Sequence, residues 1–129
     1  MPIATVKLHH VSRQTQKLEE TRKFYVDVLG FREITRPPFD FGGAWLYGAG
    51  IQIHLIDEPF APQDMALNTR ENHIAFQVED MSASEETLKA NGIPYRHNVV
   101  PERGISQLFF KDPDGWMIEL GPFPHAMDR

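Results

Sequence analysis

Residues 116–120 read Trp116-Met117-Ile118-Glu119-Leu120, and residues 51–56 read Ile51-Gln52-Ile53-His54-Leu55-Ile56. Each is an apolar strand interrupted by one side chain able to bind a metal. Each also closes a run of elements that opens on another such side chain, His10 in the first half and His73 in the second. The spacings nearly agree, 54−10=44 and 119−73=46. Two copies of one unit, facing each other, would bring His10, His54, His73 and Glu119 to a shared axis.

Alternation along a strand gives each of these residues a face. Gln52, His54 and Ile56 share one face and Ile53 and Leu55 the other; Met117 and Glu119 likewise oppose Ile118 and Leu120. Helices must cover one face of each sheet, and the Ile/Leu sets suit them. His54 and Glu119 are then expected on the open, concave face. A carboxylate inside an apolar strand is expensive without a cation or a donor. Glu119 is therefore either a metal ligand or an edge-strand carboxylate that meets water or an arginine. His54 is either a ligand or a catalytic imidazole beside the metal. His9 and His10 are expected on opposite faces, with only His10 joining the site. His97 and His125 have no counterpart in the repeat and read as surface residues.

Outward from these strands, the order repeats. In the first half, Val6 to Ser12 reads as a strand and Lys17 to Leu29 as an amphipathic helix stopped by Gly30. Phe31 to Ile34, Ala44 to Tyr47 and Ile51 to Ile56 follow as strands. In the second half, His73 to Val78 reads as a strand. Ser82 to Asn91 is a helix in which Ser82 and Glu85 form a capping-box pattern, and Gly92 ends it. Tyr95 to Val100, Gln107 to Phe110 and Trp116 to Leu120 complete the set, with Lys111-Asp112-Pro113-Asp114-Gly115 as a hairpin turn. One α+β domain over residues 1–129 is expected, with module 1 at about 5–57, a linker at about 58–71, module 2 at about 72–121 and a tail at 122–129.

Composition narrows the function. The net charge of −5 argues against a nucleic-acid surface or an anionic membrane as partner. With no cysteine, imidazole and carboxylate are the available metal ligands. No stretch has the length and apolarity of a membrane span or a signal peptide, so a cytoplasmic protein is expected. Phe39, Phe41, Trp45, Phe109 and Phe110 read as core or pocket wall. Arg36 and Arg103 are candidates to grip an anionic substrate.

Longer motifs add a family. Leu8-His9-His10-Val11 with Phe24-Tyr25-x-x-x-Leu29-Gly30-Phe31, and Asn72-His73-Ile74-Ala75-Phe76 with Phe110-Lys111-Asp112-Pro113-Asp114-Gly115-x-x-x-Glu119, resemble the two modules of the vicinal oxygen chelate superfamily. The resemblance runs from about residue 6 to 121 and is strongest to the glyoxalase-I-like branch. It implies two βαβββ modules forming a cupped mixed sheet around a divalent metal, with helices on the outer face, in a homodimer. It also implies His10, His73 and Glu119 as ligands, with His54 in the variable fourth place. The ion would be Ni, Zn, Mn, Co or Fe(II). Glu119 and His54 are the candidate catalytic bases. The implied activity is a metal-dependent lyase or isomerase reaction. Its substrate would be a small molecule such as an α-hydroxy carbonyl or a thiol-conjugate thiohemiacetal. Extradiol dioxygenases share the two-His-one-carboxylate set, but carry a tyrosine where this chain has Phe109. The non-catalytic alternative is an antibiotic-sequestering binder of the bleomycin-resistance kind.

Overall fold

The computed structural model describes residues 1–60 and 64–123, without the side chain of Arg103. The chain divides into two compact units, residues 1–61 and 62–129. The first holds β1 (His10–Thr15), α1 (Leu18–Asp27), β2 (Arg32–Ile34), β3 (Gly43–Gly48) and β4 (Ile51–Asp57). The second holds β5 (His73–Gln77), α2 (Met81–Ala90), β6 (Tyr95–Val100), a 3-10 turn at Pro101–Arg103, β7 (Ile105–Lys111) and β8 (Met117–Gly121). Each unit is thus βαβββ. Each builds its own four-stranded mixed sheet, in the orders β1-β4-β3-β2 and β5-β8-β7-β6. The expected α+β class with two repeated modules is what the chain adopts.

Both helices stop for the same reason. Gly30 and Gly92 sit just beyond α1 and α2 with φ of 74° and 65°, a conformation that glycine enters without a Cβ penalty. The chain then turns back as a strand in each unit. The core of the first unit is Tyr25, Leu46, Ile53 and Leu55, each at most 1% exposed, where α1 packs on β3 and β4. Leu88, Leu108, Phe110 and Ile118 do the same where α2 meets β7. The Ile/Leu faces of β4 and β8 are therefore the covered ones, as alternation predicts.

Three expectations are corrected. β1 starts at His10 rather than Val6, because its partner in the sheet is β4 and the parallel register opens with His10 opposite Gln52. Val6 and Leu8 stay exposed outside the ladder. Ser82 does not cap α2. Asp80 does, its carboxylate accepting from the Ala83 amide at 2.9 Å; a charged acceptor there also meets the positive end of the helix. Glu85, freed from a capping box, accepts from the Tyr95 hydroxyl at 2.7 Å. That bond ties α2 to β6 and pushes the Tyr95 phenol up to about 12. Finally, on the face expected to be open, His54 and Glu119 are themselves only 9% and 6% exposed, while His10 and His73 beside them are exposed.

Candidate metal centre

In the first unit, the register sets Ser12 opposite His54, so His10 stands two positions upstream along the neighbouring parallel strand. The two imidazoles stack with centroids 4.1 Å apart and planes 12° apart. Trp45, directly opposite His54 on β3, also stacks on its ring at 4.1 Å and 5°. These rings explain why His54 is buried. Its Nε2 lies 2.8 Å from Gln52 Oε1, and since a carbonyl oxygen only accepts, the ring nitrogen donates. Burial, and then the nearby charges of His10 and His9, hold the His54 pKa below the ordinary 6.5. The ring is consequently neutral near pH 7, the form that can bind a metal or accept a proton.

His9 does not turn away from His10 as alternation would require. Its Nδ1 lies 2.9 Å from His10 Nδ1, and the rings meet edge to face at 5.1 Å. His9 precedes the strand, so strand alternation does not govern it.

The second unit repeats the placement with different chemistry. Ala75 stands opposite Glu119, and His73 again lies two positions upstream on the parallel neighbour. His73 Nε2 is 3.0 Å from Glu119 Oε1. Gln107 donates to the other carboxylate oxygen at 3.1 Å. Phe109, opposite Glu119 on β7, meets the His73 ring edge to face at 5.8 Å. His73 Nδ1 lies 2.8 Å from the backbone oxygen of Glu71 and must donate to it. In the neutral ring this leaves the Nε2 lone pair facing a carboxylate oxygen. Two acceptors at that distance need a proton or a cation between them, so the donor set fits a divalent ion.

Each unit therefore joins one pair, His10 with His54 and His73 with Glu119. Among the described residues, no three or more His, Asp or Glu side chains are placed together so that they could hold a metal ion. The remaining sequence candidates lie elsewhere. His97 is exposed and contacts Ser106 at 3.0 Å. His125 and the Arg103 side chain fall outside the described residues. Arg36 donates to the Phe41 carbonyl oxygen at 2.5 Å and lies over the Phe39 and Phe41 rings at 5.1 and 5.0 Å. Gln52, Gln107 and the Glu71 carbonyl were not anticipated. Gln52 had a readable signal, two positions from His54 on one strand face; the other two depend on strand register and on a turn.

Comparison with known proteins agrees with this architecture. The chain belongs to the Glyoxalase/Bleomycin resistance protein/Dioxygenase superfamily, whose family model matches residues 7–120. It is 46% identical over 125 residues to the Arabidopsis thaliana protein called Glyoxylase I 4, covering 92% of this chain and 72% of that one. It is 30% identical to the lactoylglutathione lyase of Haemophilus influenzae, covering 89% and 91%. Among solved structures, a glyoxalase family protein from Bacillus anthracis superposes with a TM-score of 0.75 at 26% identity, over 94% and 98% of the two chains. A fosfomycin resistance protein from Listeria monocytogenes shares the fold with a TM-score of 0.79 at 20% identity, over 95% and 94%. Proteins of this superfamily take small molecules, and its glyoxalase I and lactoylglutathione lyase relatives point to lyase chemistry. No helix among the described residues is long and apolar enough to cross a membrane.

Proposed function

We propose that this chain is a divalent-metal-dependent lyase or isomerase of the glyoxalase I type. It works as a cytoplasmic homodimer on a chelated α-hydroxy carbonyl or a thiohemiacetal formed with a small thiol. The observation that carries the reading is the repeated pair: one unit offers two imidazoles and the other an imidazole and a carboxylate, at matching register positions. The two modules act as one domain, and His10, His54, His73 and Glu119 are the residues that would hold the ion. Bound there, a dication would supply Lewis acidity to two adjacent substrate oxygens, lowering the cost of negative charge where a carbon loses its proton.

The chain's own residues do the rest. Glu119 takes the carbon-bound proton onto a carboxylate oxygen and returns it to the neighbouring carbon, while the hydroxyl proton passes to the former carbonyl oxygen, so the carbonyl moves by one position. Gln107 holds the second oxygen of Glu119 and so orients the first. His54, neutral and shielded by Trp45, is the second group able to accept a proton. Burial of His54 and Glu119 themselves limits the water that would otherwise compete for the abstracted proton.

The test reconstitutes purified protein with nickel, zinc, manganese, cobalt or ferrous iron. Metal stoichiometry is measured first, then conversion of methylglyoxal with glutathione. One ion per site and turnover are expected, with Glu119→Gln lowering kcat by about 10²–10⁴-fold. Absence of stoichiometric metal would favour a non-catalytic binder, and oxygen uptake with catechols under ferrous conditions would favour ring cleavage. Either result replaces the proposal.

A further inference from the structure

Lys111 ends β7 with its side chain 1% exposed, an uncommon place for an ammonium group. Its Nζ pairs with Glu71 Oε1 at 2.8 Å and donates to the backbone oxygen of Asp64. Both acceptors belong to the segment that leads into β5. Glu71 is used twice. Its side chain is held by Lys111, while its backbone oxygen receives the Nδ1 proton of His73 at 2.8 Å. On the far side of the same ring, Nε2 faces Glu119 at 3.0 Å.

We propose that Lys111 is a positioning residue which, through Glu71, fixes the tautomer of His73. Seen as metal capture, this rests on reading His73 and Glu119 as ligands. A neutral imidazole has two tautomers, and a carbonyl oxygen held at Nδ1 selects the one with its proton there. Nε2 is then the nitrogen aimed at Glu119, 3.0 Å away, where a proton or a cation bridges the two. The other backbone bond of Glu71 does not fix that carbonyl: its amide donates to the Asn68 backbone oxygen at 3.0 Å. The clamp comes from across the unit.

Its anchor is rigid. Asp112, next to Lys111 and fully buried, accepts from the Asp114 and Trp116 amides at 2.9 and 3.0 Å. The Lys111-Asp112-Pro113-Asp114-Gly115 stretch, read from the sequence only as a hairpin, thus also sets where Lys111 starts from. Burial makes the contact reciprocal, because an ammonium group this far from water holds its carboxylate partner tightly. Groups that orient a metal-binding imidazole from behind have a known weight. Their removal weakens metal affinity by about 10–100-fold.

The experiment compares wild type with Lys111→Met, Glu71→Gln and Lys111→Arg. In metal-free protein, the ¹⁵N shifts of the His73 ring report which nitrogen carries the proton. Zinc binding to the same samples is followed by calorimetry. The wild-type ring is expected to keep its proton on Nδ1, with Nε2 sharing a second proton with Glu119 until zinc displaces it. Lys111→Met and Glu71→Gln should each mix the tautomers and weaken zinc binding by about 10–100-fold, with Lys111→Arg restoring much of both. Glu71→Gln keeps the backbone oxygen and decides the matter if Lys111→Met does not fold. Unchanged His73 shifts in the folded variants would overturn the proposal. A tautomer shift in protein that binds no zinc would support the clamp and overturn the metal reading instead, so the two fail separately.

Discussion

The two units place their buried polar residue at the same point and stabilise it by different means. β4 presents His54 between rings, with His10 and Trp45 both stacked at 4.1 Å. β8 presents Glu119 to hydrogen-bonding groups, His73 at 3.0 Å and Gln107 at 3.1 Å. The aromatic opposite each is conserved in place but not in use: Trp45 stacks on His54, while Phe109 meets His73 edge-on. The offset of two residues between His10 and the partner of His54 recurs between His73 and the partner of Glu119. The repeated backbone sets position, and the side chains set charge. A neutral ring is compatible with stacked aromatics, whereas a carboxylate in the same spot requires donors.

That comparison can be broken first at the shared core. Leu46 and Phe110 occupy matching places, one residue beyond Trp45 and Phe109, and both are 0% exposed. Leu46→Ala should cost about 2–5 kcal/mol and Phe110→Ala about 3–5 kcal/mol, read from urea denaturation. A loss under about 1 kcal/mol at either site would mean the two cores are not equivalent.

A smaller effect separates the helices. Asp80 caps α2 through its side chain, whereas no side-chain cap bond is made at the start of α1. Asp80→Ala should therefore cost about 1 kcal/mol in the same assay. Stability unchanged by that substitution would show that the cap is idle.

The smallest effect tests the ring environment. The His54 pKa is depressed in the fold, so below 6.5 the unfolded chain takes up the proton before the folded one. Stability from this group is complete above 6.5 and declines as pH falls through the folded value. His54→Gln should flatten that part of the urea-midpoint profile. Trp45→Ala, by letting water reach the ring, should move the His54 midpoint back up toward 6.5 in an NMR titration. A midpoint unmoved by Trp45→Ala would assign the shift to the neighbouring imidazoles.

Much of this was legible in one dimension, and particular residues show where legibility ended. The span of β6, Tyr95–Val100, and the glycine stops at Gly30 and Gly92 follow from local preference. The start of β1 does not, because Val6 and Leu8 have strand character but no strand beside them to bond with. Ser82 and Glu85 matched a capping pattern, yet Asp80 lay within reach and is the better acceptor. Spacing paired His10 with His54 and His73 with Glu119. It could not supply Gln107 or the Glu71 carbonyl, whose roles depend on register and on a turn.

The sequence by itself determined the repeat, the strand faces and the available ligand types, because periodicity and residue chemistry are properties of neighbours along the chain. Only the tertiary structure decided which rings stack on His54, which nitrogen of His73 faces Glu119, and that Lys111 reaches Glu71. Those outcomes belong to atoms brought together from distant positions, where burial turns a weak polar contact into one that fixes orientation.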